Sequence, residues 1–265
     1  MPELYQRLEN ALPETDPAAK CDLAARLYAD WRKGDLVVHA QSPILTIDDA
    51  GRPETPSLVD PRQLEKRSVA TESGRIKLLH AFAHIEFNAI NIALDAAYRF
   101  RQMPAQYVDD WLRVASEEAS HFQLLEQSLR ERGSYYGAYP AHRGLWDMAC
   151  KTRHDVLHRM ALVPRVMEAR GLDVTPLMIK KFSQVDDASA VAILERIYQD
   201  EIDHVRIGNH WYRLLCDQQG LAAEATFRTL IDQYMGGKLR GPFNWPARIE
   251  AGFAEEELSS LEQSL

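Results

Sequence analysis

The sequence predicts an all-α protein built on a four-helix bundle, and three observations carry that prediction. Four long stretches, residues 75–102, 105–132, 146–170 and 187–217, repeat apolar residues at three- and four-residue intervals, which marks one buried face of a helix. The connections between them are short, which favours antiparallel neighbours. A lone glutamate followed by a Glu-x-x-His unit then occurs twice: Glu86 before Glu118-Ala-Ser-His121, and Glu168 before Glu201-Ile-Asp-His204.

Taken in order, residues 3–12 and 17–33 have helical spacing, with Asp16 placed as N-cap and Pro17 as the first helical residue. From Gly34 to about Gly74 the chain carries Pro43, Pro53, Pro56 and Pro61 and shows little periodicity, so an extended arm is expected that wraps the surface or covers a site. Pro104 separates the first two long helices, and Gly133 and Gly137 end the second. Gly171, following the basic Arg170, reads as the stop of the third, and Pro164 should kink it. Residues 175–184 also read as helical. Glu201 lies roughly 20 Å into its own helix at 1.5 Å per residue. Residues 175–184 are therefore expected to extend the third helix beyond a break at Gly171, so that the return helix brings Glu201 level with Glu168. A helix at about 221–235, the Gly236-Gly237 pair, a segment with Pro242, Phe243, Trp245 and Pro246, and a short helix at 254–263 with a solvated, acid-rich start complete the chain. The expected division is residues 1–74 as N-terminal helices and arm, 75–217 as the bundle, and 218–265 as a C-terminal extension packed on it.

Composition excludes several classes. With 46% hydrophobic and 26% charged residues the chain is that of a globular protein, and no run of about 18 apolar residues offers a membrane span. A formal net charge of −8 argues against a broad nucleic-acid surface. Arg99, Arg101, Arg130 and Arg132 lie near helix ends and read as solvated caps. Cys21, Cys150 and Cys216 are odd in number and scattered, and the N-terminus lacks a basic segment followed by an apolar one, so a reducing, cytoplasmic location is expected.

The chemistry rests on the glutamates. A Glu and a His three residues apart share one helix face and offer a carboxylate oxygen and an imidazole nitrogen to one point. Chance supplies on the order of one such pair in a chain of this composition, so the spacing alone is weak. Their surroundings say more. Glu86 shares its face with Leu79, Phe82, Ala83, Ile90 and Ala93; Glu118 sits with Trp111, Val114, Ala115, Phe122 and Leu125; Glu201 sits with Leu194, Ile197, Tyr198, Val205 and Gly208. Glu168 has a less clean apolar face. Buried carboxylates cost several kcal/mol each and repel one another, so they need cations. Two divalent metals neutralise four carboxylates, and this donor set suits iron or manganese better than zinc or copper.

Two other histidine pairs, His80 with His84 and His154 with His158, have the i, i+4 spacing of zinc sites but lack the Glu between them that a zinc peptidase helix needs. They read as hydrogen-bonded contacts between helices, or in one case as lining of the route to the metals. Tyr198, one turn before Glu201, reads either as core with a satisfied hydroxyl or as an oxidisable or hydrogen-bonding neighbour of the metals.

The order Glu86, Glu118-x-x-His121, Glu168, Glu201-x-x-His204 resembles the ferritin-like di-iron carboxylate superfamily over residues 75–217, which implies a ferritin-like four-helix bundle. More narrowly, His80-Ala81-Phe82-Ala83-His84-Ile85-Glu86-Phe87-Asn88-Ala89-Ile90, Glu168-Ala169-Arg170-Gly171-Leu172-Asp173, the Pro-rich arm and Pro242-Phe243-Asn244 resemble the bacterial family called domain of unknown function 455. The resemblance implies that Glu117 and Asp200, each preceding a ligand Glu, orient the His on the opposite helix through its second ring nitrogen. It implies two iron ions, or manganese, or one of each, acting with dioxygen or peroxide to oxidise or hydroxylate a small organic or modified-nucleoside substrate. A modified tRNA is the one nucleic-acid substrate it leaves open. With no flavin or nucleotide motif, such an oxygenase needs an external electron donor. A monomer or homodimer is expected. The alternative is iron binding or storage, or peroxide detoxification, without an organic substrate.

Overall fold

Helix starts follow their caps. Asp16 Oδ1 accepts from Ala19 N at 2.8 Å ahead of Pro17, Thr71 Oγ1 accepts from Gly74 N at 3.1 Å, and Asp187 Oδ1 accepts from Ala190 N at 3.2 Å. The computed structural model describes residues 2–38, 43–65, 67–237, 239 and 241–263. Among these the fold is all-α, with two isolated parallel bridges in place of any sheet. No helix among them is long and apolar enough to cross a membrane. The chain forms two compact units, Met1–Cys150 and Lys151–Leu265.

In the first unit α1 (Leu4–Ala11) and α2 (Pro17–Lys33) precede the long pair α3 (Glu72–Arg99) and α4 (Ala105–Glu131), and α5 (Gly144–Lys151) closes it. α3 packs along α4, and α2 lies against both. Most of the faces expected to be apolar are buried: Leu79, Ala83, Ile90 and Ala93 on α3, with Phe82 half-buried, and Trp111, Val114, Ala115, Phe122 and Leu125 on α4. From Glu86 to Arg99 every residue of α3 is buried, so this helix is enclosed on all sides and is not amphipathic there.

That enclosure overturns the reading of Arg99 and Arg101 as solvated caps. Arg99 is 8% exposed and binds Asp95, one turn earlier, at 2.6 Å. The Arg101 guanidinium lies 4.2 and 4.7 Å from the Tyr5 and Tyr98 ring centres. Arg130, paired with Glu126 at the surface, is solvated as expected.

The arm is extended, apart from a 3₁₀ turn at Pro61–Gln63; residues 39–42 and 66 lie outside the described residues. It bridges α1 through Glu3 and Val37, and the loop after α4 through Leu58 and Ala141. Lys20 pins it: the fully buried ammonium donates to Leu12 O at 3.1 Å, Gly51 O at 2.6 Å and Asn91 Oδ1. Lys20→Met leaves those three acceptors without their donor. It should lower the unfolding free energy by about 2–3 kcal/mol in urea titration, where a change under about 0.5 kcal/mol would refute the pin.

The second unit carries α6 (Val156–Leu162), a π-helical turn (Val163–Glu168), α7 (Ala169–Ser183), α8 (Ala188–Gln219), α9 (Ala223–Met235), α10 (Trp245–Glu250) and α11 (Glu255–Gln263). The expected third helix, 146–170, is divided before Asp155, whose carboxylate caps α6 by accepting from Leu157 N at 2.7 Å and His158 N at 3.2 Å. The expected break at Gly171 does not occur: α7 runs through it to Ser183 and packs along α8. The distortion sits about two turns earlier, at Pro164, whose missing N–H loosens the helix into the wider π turn. α7 spans 15 residues, about 22 Å, so the return along α8 brings Glu201 back toward the level of Glu168, as expected. The acid-rich start of α11 is only partly solvated, because Glu257 is 3% exposed and paired with Arg165.

Candidate metal centre

Within the first unit, adjacent helices bring Glu86, Glu118 and His121 together. Glu118 and His121 lie three residues apart on one face of α4, and Glu86 approaches from α3. One ligand atom from each lies within 4.8 Å of the others. His121 Nδ1 is 3.2 Å from Glu118 Oε2 and 3.4 Å from Glu86 Oε2. All three are closed to solvent, at 2% exposure for Glu86 and 0% for Glu118 and His121.

The electrostatics show what this arrangement lacks. Burial raises the Glu86 carboxyl well above the usual carboxylate range, and the neighbouring Glu118 charge pushes it further, while His121 opposes both. Two carboxylates and an imidazole closed off from water form an anionic donor set that a divalent cation fits, in charge and in ligand type.

In the second unit Glu201 and His204 point inward from α8, 7% and 0% exposed, with His204 Nδ1 3.9 Å from Glu201 Oε1. Leu194, Ile197, Val205 and Gly208 are buried around them and Tyr198 is half-buried. Glu168 is half-buried and ends the π turn. Gly208 has a visible purpose: a Cβ there would lie 2.2 and 2.4 Å from Pro164 Cβ and Cγ, so only glycine lets α8 approach the π turn this closely.

The remaining candidates fall into place around these. Glu117 is 3.7 Å from Arg113 and Asp200 2.8 Å from Arg196, each a partner one turn away on its own helix. Tyr198 accepts from Asn244 Nδ2 at 3.1 Å, and burial raises its hydroxyl pKa. The histidine pairs are hydrogen-bonded contacts. His84 joins Tyr136 Oη and His142 O, each at 2.9 Å, and His158 Nδ1 meets Tyr234 Oη at 2.9 Å. His80 Nε2 accepts from Gly137 N at 2.9 Å.

His80 predicts an acid response. Burial lowers its pKa to about 4, with His84 and then Arg67 adding repulsion. A proton on Nε2 would also set one donor against another at Gly137. Because the folded pKa lies below the unfolded value near 6.5, the unfolded state binds the proton more readily, so stability is full above that value and falls as pH drops toward 4. The slope is about 1.4 kcal/mol per pH unit for one histidine. His80→Gln, which keeps an acceptor and cannot titrate, should flatten the loss between pH 6.5 and 4.5 in urea titrations; equal losses in both proteins would refute the assignment.

Sequence reasoning missed the network beside Glu168, formed by Arg165, Asp173, Asn244, Arg248 and Glu257. The only signals were Pro164 inside a helical run, Arg165 at a position that reads as ordinary helix, and Arg248 in a stretch assigned to no element.

The fold and this donor set define an all-α protein with a buried Glu/His cluster able to hold metal. A family model described as "Protein of unknown function (DUF455)" matches residues 13–259, and the chain belongs to that family. It is 45% identical over 276 residues to an uncharacterized protein of Haemophilus influenzae, an alignment covering 99% of this chain and 96% of that relative. No solved structure matches the chain significantly.

Proposed function

We propose that the chain is a ferritin-like di-metal carboxylate protein that holds two iron ions, two manganese ions or one of each on Glu86, Glu118, His121, Glu168, Glu201 and His204. It acts with dioxygen or peroxide as an oxidase or hydroxylase of a small organic or modified-nucleoside substrate. The carrying observation is the closed Glu86, Glu118 and His121 cluster, whose ligand atoms lie within 4.8 Å of one another. The repeat of the Glu-x-x-His unit on α8, with a preceding Glu168, supports a second set of the same kind.

The four carboxylates balance the charge of two dications, and the two imidazoles add neutral donors. Glu117 and Asp200 orient the imidazoles by accepting from their second ring nitrogen. Tyr198, held by Asn244, is a hydrogen-bonding neighbour one turn from Glu201. When bound, the metal pair supplies redox and Lewis-acid chemistry, and an external reductase supplies electrons. The test is elemental analysis of untagged protein, then anaerobic iron loading and exposure to oxygen while the spectrum is recorded. About two metals per chain with an oxygen-dependent absorbance change is the expected result; no metal above background in either preparation sinks the proposal.

A second reading, iron binding or storage, or peroxide removal, without an organic substrate, is favoured by the 0% exposure of Glu118 and His121, which suits an ion or a reactant as small as peroxide better than a bulky one. Particle size separates the two: a shell of many subunits supports storage, and a monomer or dimer supports the enzyme.

A further inference from the structure

We propose that the segment from Pro242 to Gln263 is a clamp that sets the direction of the Glu168 carboxylate, with Glu257 and Arg248 as its positioning residues. The inference rests on the reading of Glu168 as a metal ligand. A π turn is rare because its wider ring forms poorer hydrogen bonds than the α-helix, so it persists where surrounding contacts hold it. Here it matters for direction. Each residue advances a helix by about 100°, so relaxing the extra residue of a π turn would swing the side chains that follow by about that angle.

The contacts sit on both sides of Glu168. Three residues before it, Arg165 is 1% exposed, with its guanidinium carbon 4.2, 4.0 and 4.9 Å from the ring centres of Tyr212, Phe227 and Phe253. Its Nη2 pairs with Glu257 of α11, while Nε and Nη1 have no hydrogen-bond partner among the described residues. Glu257 is therefore the carboxylate that holds this cation in its aromatic cage, and losing it leaves a buried charge without compensation.

One residue after Glu168, the Ala169 carbonyl accepts from Arg248 Nη2 at 3.3 Å. The same guanidinium grips Asp173 with both arms, Nε to Oδ1 at 2.9 Å and Nη2 to Oδ2 at 2.8 Å. Asn244 adds its backbone N–H to Asp173 Oδ1 at 2.9 Å and its side chain to Leu172 O at 3.0 Å. The Phe253 ring lies between the two guanidiniums, 4.9 Å from Arg165 and 5.2 Å from Arg248. One segment thus fixes the backbone that enters Glu168 and the backbone that leaves it.

The test compares Glu257→Gln and Arg248→Met with Glu168→Gln and with Phe182→Ala, a core truncation at the far end of α7 that lowers stability without touching the clamp. Amide hydrogen exchange of the metal-free full chain reads the clamp directly. Both clamp variants should speed exchange over residues 163–169 at least tenfold, with α3 and α4 unchanged. Iron stoichiometry, measured where every variant is folded, reads its consequence: the clamp variants fall to the level of Glu168→Gln, and Phe182→Ala stays at the wild-type level. Unchanged exchange over 163–169 overturns the clamp. Faster exchange with wild-type iron content, while Glu168→Gln loses iron, overturns the positioning role alone. Wild-type iron in Glu168→Gln overturns the ligand reading, and with it the role of the clamp at the metal.

Discussion

Glu118→Gln should move metal content and stability in opposite directions. The amide keeps the shape of the carboxylate and removes one charge from a closed site where Glu86 and His121 are its neighbours. Bound iron should fall from about two per chain to one or fewer, because a neutral oxygen is a poor donor to a hard dication. The metal-free protein should become more stable by about 1–3 kcal/mol, because a desolvated charge and its repulsion with Glu86 both disappear. The Glu86 carboxyl should also move back toward its ordinary range, since the Glu118 charge is the second largest cause of its rise. Elemental analysis and urea titration of the metal-free forms measure the two effects. Wild-type metal content in Glu118→Gln would remove this residue from the centre; lower stability of its metal-free form would mean that the carboxylate makes structural contacts worth more than its repulsion.

Gly208→Ala should cost about 3 kcal/mol, a large effect for one methyl group. That carbon would sit 2.2 and 2.4 Å from two atoms of the Pro164 ring, where carbon atoms normally meet at about 3.5–4.0 Å. Neither side can turn away, because a Cβ has no rotamer and the proline ring is closed on its own backbone. α8 and the π turn must therefore separate by about an ångström, and overpacking of this kind is costly. Gly171→Ala is the control. It lies inside α7 with nothing among the described residues within 4 Å of its would-be Cβ, so it should stabilise by about 0.5–1 kcal/mol through helix propensity alone. Equal effects of the two substitutions in denaturant titrations would refute the close approach of α8 to Pro164.

The contrast between these glycines marks how far sequence reasoning reached. Gly171 follows a basic residue and precedes an irregular stretch, so it reads as a helix stop; in the structure the packing of α7 along α8 carries the helix through it. Gly208 reads as one small residue on an apolar face, yet it is the one that the tertiary structure requires to be glycine. Arg99, Arg101 and Arg165 show the same difference. A long cationic side chain near a helix end or inside a helix has no local mark of burial, because its partners come from its own helix for Arg99, from both Tyr98 and the distant Tyr5 for Arg101, and from distant groups for Arg165.

What the sequence determined by itself was everything governed by neighbours within about a turn. That includes the all-α class, the cap at Asp16, the apolar faces around Glu86, Glu118 and Glu201, and the pairing of Glu118 with His121 and of Glu201 with His204 on single faces. These follow from a helical period of 3.6 residues and from the desolvation cost that keeps a carboxylate out of a core unless something compensates it. Only the tertiary structure decided that α3 is enclosed on every side from Glu86 onward, that Glu86 reaches the Glu118 and His121 pair, and that Pro164 makes a π turn beside Glu168. It also decided that Arg165 is buried under the C-terminal segment and that Arg248 of that segment is buried against α7. Burial and charge compensation depend on which surfaces meet, and residues as far apart as Arg165 and Glu257 meet only once the chain has folded.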